Sequence, residues 1–484
     1  MLFNSIAFLI FFPLVTLIYF VLPHRWRWAL LLVASCIFYI SFIPVYIFIL
    51  AVTIAIDYTA GIWIERSEGT RRRTWLIISI ISTCLVLFVF KYFNFFNGSV
   101  RSIASLLHLN YPVPVLDIIL PIGLSFHTFQ SLSYVVEVYR GKQKAEHNFG
   151  IYSLYVMFYP QLVAGPIERP QNLLHQFYEK HEWDYHRVAR GLQLMLWGLF
   201  KKVVIADRLA VIVNTVYNNP HRYQGLPLVI GTVLFAFQIF CDFSGYSDIA
   251  IGSAEVMGFK LMTNFNRPYF SRSIVEFWKR WHISLSTWFR DYVYIPLGGN
   301  RVSLPRWQLN LFITFLISGL WHGAKWTFVI WGALNGLYML ASVGTIEARK
   351  KIVEATGIAA FPRIHHAIQI MMTFTLVCFG WIFFRAHTFT DALYISTHLF
   401  SSWNISAVSK IGELGLNPYD LICALMVIGF LLLVQTIQHR YGSVRTMVGD
   451  NPIWVRWPLW YALILSVVLM GFYANPQAFI YFQF

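Results

Sequence analysis

The sequence is short of charge. Asp, Glu, Lys and Arg make up 12% of its 484 residues, about half of the roughly 25% that a soluble domain carries. Hydrophobic residues supply 57% and aromatic residues 18%, and the mean hydropathy is +0.58. Such a chain cannot cover a water-facing surface, which implies a polytopic membrane protein. Cysteine is also scarce. Cys36, Cys84, Cys241, Cys378 and Cys423 fall one to an apolar segment, so no disulfide framework or redox pair is implied. Acidic residues number 22 against 37 basic ones, a formal charge of +15. The Lys and Arg lie in short loops between apolar stretches, where the positive-inside bias puts them, and this excludes a nucleic-acid partner. There is no Walker-type loop, no GxSxG elbow, no HExxH and no CxxC, so ATP hydrolysis and a metal held by a familiar spacing are excluded. Linkers, internal repeats and stretches able to fold as a soluble domain are missing too, so residues 1–484 read as one membrane domain.

What is present is a series of apolar stretches at about 3–22, 29–63 (broken at Pro44), 75–96, 116–139, 149–166, 191–213, 227–258, 307–321, 325–343, 367–385, 419–437 and 458–474. They predict roughly eleven to thirteen membrane helices. Loops 65–74, 140–148, 345–366 and 439–457 are basic, whereas 97–115 and 386–418 carry almost no Lys or Arg. Alternation then puts the basic loops in the cytoplasm and both termini outside. The first stretch has no basic n-region and no cleavage site, which predicts a retained helix.

Four stretches carry polar chemistry. In 276–301, "EFWKRWHISLSTWFRDYVYIPLGGNR", helical spacing puts Trp278, Trp281, Leu285 and Trp288 on one face and Lys279, His282, Ser286 and Arg290 on the next. One reading is an interfacial helix with tryptophans at headgroup level. The other is a cytoplasmic basic funnel for a phosphorylated donor, in which Arg267, Arg272, Lys279, Arg280, Arg290, Arg301 and Arg306 face only Glu276 and Asp291. Both can hold together. In 319–336, "GLWHGAKWTFVIWGALNG", His322 stands between two apolar stretches. It is either a satisfied structural donor or a general base, and Gly319 and Gly323 would let a backbone or a ligand approach it. In 238–259, Asp242, Asp248 and Glu255 interrupt an apolar run. Asp248 and Glu255 share a helix face and suit pairing with an inward Arg or Lys, a proton or cation path being the rival. In 159–170, Gly165-Pro166 before Glu168 and Arg169 predicts a helix break near the membrane surface.

The two histidine stretches, with "YPQLVAGPI", "CDFSGYSDIAIG" and the closing "FIYFQF", resemble bacterial membrane-bound O-acyltransferases, most of all their alginate O-acetyltransferase branch. The resemblance covers essentially the whole chain. It implies an all-α polytopic membrane fold around a central tunnel, with re-entrant cytoplasmic segments. Within it, 266–306 would be the basic re-entrant or interfacial region and 307–343 the catalytic histidine helices. It implies His322 as the essential catalytic residue and His282 as a second important position, with Lys279, Arg280, Ser286 and Arg290 as donor-binding candidates and no metal. The implied activity is transfer of an acetyl group from a cytoplasmic thioester, acetyl-coenzyme A, across a bacterial inner membrane. An extracytoplasmic acetyltransferase partner would then modify an exopolysaccharide such as alginate, with membrane lipids around the protein. D-alanyl transfer to teichoic acid is the neighbouring alternative, and a non-enzymatic channel or scaffold subunit of a secretion complex is the alternative of another class.

Overall fold

A computed structural model describes residues 1–163, 165–401, 414–473, 477, 479 and 480. Part of the 386–418 loop, Ala164 of "YPQLVAGPI" and Tyr481–Phe484 of the closing stretch lie outside the described residues. Every regular element among those described is helical. Seven are long and apolar enough to cross a membrane: Tyr46–Arg66, Gly69–Leu106, Leu226–Met257, Trp326–Gly344, Pro362–Arg385, Pro418–Tyr441 and Ile453–Met470. Other apolar stretches form shorter or composite helices. The one at 149–166 is helical only over Phe149–Met157, and no helix passes Gly165-Pro166, as that dipeptide predicts.

The described residues form two compact units. One comprises Met1–Met195 with Ser247–Met262, the other Leu196–Tyr246 with Thr263–Phe484. In the first, helices Tyr46–Arg66, Gly69–Leu87 and Leu124–Tyr139 pack as a trio. Their interior holds Asp57, which accepts hydrogen bonds from Ser79 Oγ at 2.7 Å and Thr83 Oγ1 at 3.0 Å. Glu168 is fully buried and accepts from the backbone N–H of Met262 and from Asn172 Nδ2. Glu255 pairs with Arg190, 3.6 Å away, as its place on an otherwise apolar helix demands.

The second unit is anchored by a buried ion cluster. A π-helical turn, Phe200–Ala206, carries Lys201 and Lys202 into an apolar interior. Lys202 Nζ lies 2.9 Å from Asp207 Oδ1 and 2.7 Å from Asp242 Oδ1, and donates to the carbonyl of Gln477 at 3.1 Å. Lys201 Nζ donates to Ser244 Oγ at 2.9 Å, and Asp242 Oδ2 accepts the N–H of Ile480 at 2.7 Å. Asp242 is therefore a paired structural acid.

The closest helix pair in this unit joins Leu304–His322 to Trp326–Gly344 across Gly323, Ala324 and Lys325. Backbone touches backbone: a Cβ on Gly319 would sit 2.3 Å from Phe328 O and 2.9 Å from Gly332 Cα. One on Gly332 would sit 2.5 Å from Phe315 O. Small residues at such a crossing gain van der Waals contact that a side chain would prevent.

Two consequences are measurable. Gly319→Ala forces the hairpin apart and should cost about 1–3 kcal/mol, read as a lowered midpoint of tryptophan-monitored thermal unfolding in detergent. An unchanged midpoint would mean that the helices separate freely. Lys202→Met leaves two carboxylates buried together and should cost more, about 3–5 kcal/mol. Adding Asp207→Asn and Asp242→Asn should recover part of that loss, and no recovery would show that charge is not the cause.

Candidate functional site

His322 is the last residue of the helix Leu304–His322 and is 4% exposed. Gly323 leaves the helix in an extended conformation, and a Cβ there would strike the Phe328 ring at 2.3 Å. The two glycines flanking His322 thus serve a tight hairpin, admitting a backbone at Gly319 and a ring at Gly323. The imidazole is held by aromatic rings from three elements. Trp321 and Trp331 lie 5.0 Å away between centroids and Phe384 5.3 Å away, with interplanar angles of 71°, 86° and 71°. Behind them Trp381 stacks on Trp331 at 5.9 Å and meets Phe384 edge-on at 5.2 Å. Phe384 and Trp381 belong to the helix Pro362–Arg385. An imidazole in such surroundings is fixed in orientation and kept from bulk water.

His282 is placed by a different device. The single helix expected over 276–301 does not form. It is broken into Ile274–Arg280 and Ile283–Phe289, and His282 between them adopts the left-handed conformation, φ 42° and ψ 57°. The cause is interception of helical hydrogen bonds by residues 264–266. Ile283 N–H donates to Asn264 O at 2.9 Å, and Ser284 N–H to Asn264 Oδ1 at 3.2 Å. The carbonyl of Arg280, which Ser284 would reach in a continuous helix, accepts instead from Asn266 N–H at 2.9 Å. The helix resumes where Ser286 N–H donates to His282 O at 2.9 Å. The face expected from Trp278 to Trp288 is therefore two faces. Trp281, Leu285 and Trp288 are buried and Trp278 is half-buried, so these are packing residues rather than a row at the headgroups.

The His282 ring is 1% exposed. It packs edge-on against Phe243 at 4.6 Å and beside Phe265 at 6.4 Å. Its Nδ1 lies 3.2 Å from Asn264 Oδ1. Burial pushes its pKa down to about 3, so the ring is neutral at any working pH.

The two histidines share one aromatic cluster. Phe265 meets Trp281 at 5.1 Å, Trp281 meets Trp381 at 5.0 Å, and Trp381 stacks on Trp331, which touches His322. The other expected site residues are dispersed. Lys279 and Arg290 are exposed, Arg290 beside Asp291 at 2.8 Å. Arg280 is half-buried and pairs with Glu276. Ser286 Oγ donates to Trp281 O at 3.1 Å. Arg301 and Arg306 are exposed. The basic surplus gathers instead around Arg267, Arg272 and Arg280. The Arg280 guanidinium and burial hold Arg267 below its ordinary pKa, and Arg272 Nη1 lies 3.2 Å from His366 Nε2.

Sequence reading missed Asn264, Trp331, Trp381 and Phe384 as members of the site. Asn264 stands in the polar run "NFNRPYF" before the first histidine stretch, and that run was the available signal. It also missed Lys201 and Lys202, two consecutive lysines inside an apolar run and thus a sign of buried acids elsewhere.

Comparison with known proteins joins this geometry to a family. Residues 81–389, which include both histidines, match the model of the membrane-bound O-acyltransferase family, MBOAT. The probable alginate O-acetylase AlgI of Pseudomonas aeruginosa is 39% identical over 442 residues, covering 90% of this chain and 82% of that protein. The peptidoglycan O-acetyltransferase of Helicobacter pylori is 31% identical, covering 100% of this chain and 98% of that protein. The teichoic acid D-alanyltransferase of Bacillus subtilis is 27% identical, covering 64% and 78%. With its all-helical architecture and its membrane-length helices, the chain belongs to the membrane-bound O-acyltransferase family and is a multi-pass membrane O-acyltransferase.

Proposed function

We propose that the chain takes an acetyl group from acetyl-coenzyme A on the cytoplasmic side and delivers it across the membrane for O-acetylation of an exopolysaccharide such as alginate, with His322 as general base. The observation that carries this reading is the caging of His322 by Trp321, Trp331 and Phe384 within the family-matched region. The relatives named for O-acetyl transfer cover nearly the whole chain at 31–39% identity, against 27% over a smaller share for the D-alanyl relative. This favours an acetyl group over D-alanine.

In the chemistry the acceptor hydroxyl oxygen attacks the thioester carbonyl carbon while an imidazole nitrogen of His322 takes the hydroxyl proton. The C–S bond then breaks, and the imidazolium returns that proton to the departing thiolate. The base must come within about 2.6–3.2 Å of the hydroxyl oxygen. A thioester is already activated, so no further nucleophile is needed. The Arg267, Arg272 and Arg280 cluster supports binding of the donor's phosphates, with Lys279, Arg290 and Ser286 at its margin. The reading takes residues 1–484 as one catalytic domain enclosing a path between the two sides. It places the chain in a bacterial inner membrane with both termini outside, and an extracytoplasmic acetyltransferase as the next carrier.

The test is transfer of radiolabelled acetyl from acetyl-coenzyme A by purified protein in nanodiscs, with the partner candidate present. His322→Ala should lower the rate by about 10²–10⁴-fold with an unchanged thermal midpoint. Full activity in a folded His322→Ala protein would remove His322 from catalysis. Dependence on a D-alanyl carrier protein in place of coenzyme A would transfer the assignment to the sister reaction.

A further inference from the structure

Resting on that reading, we propose that Asn264 is a positioning residue that fixes His282 in the Nδ1–H tautomer, which leaves Nε2 as the hydrogen-bond and proton acceptor of the ring. Asn264 presents one side-chain atom to three donors: Ser284 Oγ at 2.7 Å, Ser284 N–H at 3.2 Å and His282 Nδ1 at 3.2 Å. A backbone N–H can only donate, so the atom facing Ser284 N is the carbonyl oxygen and not the amide nitrogen. An oxygen accepts only, so an imidazole nitrogen held beside it carries the proton; a lone pair there would face another lone pair. The lone pair of a neutral ring then resides on Nε2.

The backbone enforces the same arrangement. His282 occupies the left-handed region at φ 42°, a conformation costing about 1–3 kcal/mol for a residue other than glycine. It persists because Asn264 O and Oδ1 take the N–H groups of Ile283 and Ser284. Asn264, with Asn266 N–H on the Arg280 carbonyl, therefore breaks the helix, and Asn264 sets the tautomer of the ring. Phe243 and Phe265 fix the ring plane.

The consequence is chemical. An Nε2–H tautomer would offer a donor to a developing oxyanion, whereas an Nε2 lone pair does not. In the Nδ1–H tautomer Nε2 can accept a hydrogen bond from a hydroxyl but cannot donate one to an oxyanion.

The first test needs no activity and no variant of Asn264. The ¹⁵N spectrum of protein labelled at histidine, with His282→Gln used to assign the signal by subtraction, should show a protonated Nδ1 and an unprotonated Nε2 for His282. An Nε2–H signature in the wild type overturns the proposal, whatever becomes of the acetyl-transfer reading. The second test is kinetic. Asn264→Ala should lower kcat about 10–100-fold, the range found when an outer partner of a functional histidine is removed, while KM for acetyl-coenzyme A moves less than about threefold. The same substitution in a His282→Gln background should add little. A full additional loss in that background would reduce Asn264 to a structural role. If Asn264→Ala does not fold, the wild-type spectrum alone decides.

Discussion

The contact on which the site depends is the one between two glycine backbones. Gly319 and Gly332 let the helices Leu304–His322 and Trp326–Gly344 approach until a Cβ on either would meet main-chain atoms of the other at 2.3 to 3.1 Å. At that distance Trp331 is drawn against His322 and stacks on Trp381. With a larger separation the Trp331 indole would lose its contact with His322. The glycines that surround His322 in sequence are therefore packing residues whose effect on chemistry is indirect. They decide where the imidazole is, and the rings decide how it is oriented.

The same economy governs the charges. A lysine or aspartate in an apolar interior persists only with partners, and Lys202, Asp207 and Asp242 satisfy one another while binding the carbonyl of Gln477 and the N–H of Ile480. Gln477 and Ile480 are thus fixed by charge-assisted hydrogen bonds to Lys202 and Asp242. Phe479, carried by that segment, packs on Phe243 at 5.7 Å, and Phe243 packs on His282 at 4.6 Å. The ion cluster therefore supports the His282 surroundings at one remove.

Much of this was legible in the sequence. The scarcity of charge and the apolar periodicity gave an all-helical membrane protein, Gly165-Pro166 gave a helix end, and the motifs around His282 and His322 gave the family. The break at His282 was not legible. Helical spacing from Trp278 to Trp288 is good, and the acceptors that defeat it come from residues 264–266, whose approach depends on tertiary structure. Pairing was expected of Asp248 and Glu255, whereas the partner of Asp242, Lys202, lies forty residues earlier in a stretch read only as apolar. Periodicity reports local preference. It is silent wherever a hydrogen bond from a distant segment costs less than keeping the helix intact.

Both histidines are packed among aromatic rings, and His282 has in addition a polar acceptor at Nδ1. That acceptor localises its proton, while burial keeps the ring neutral. His322 is held by the shapes of aromatic rings set nearly perpendicular to it. The rings fix where the imidazole sits and keep bulk water from it, so the acceptor hydroxyl meets a base already in place and little reorganisation is left for the transition state. On this reading, the positions of the rings, set in turn by the contact of Gly319 with Gly332, decide the geometry in which His322 meets the hydroxyl.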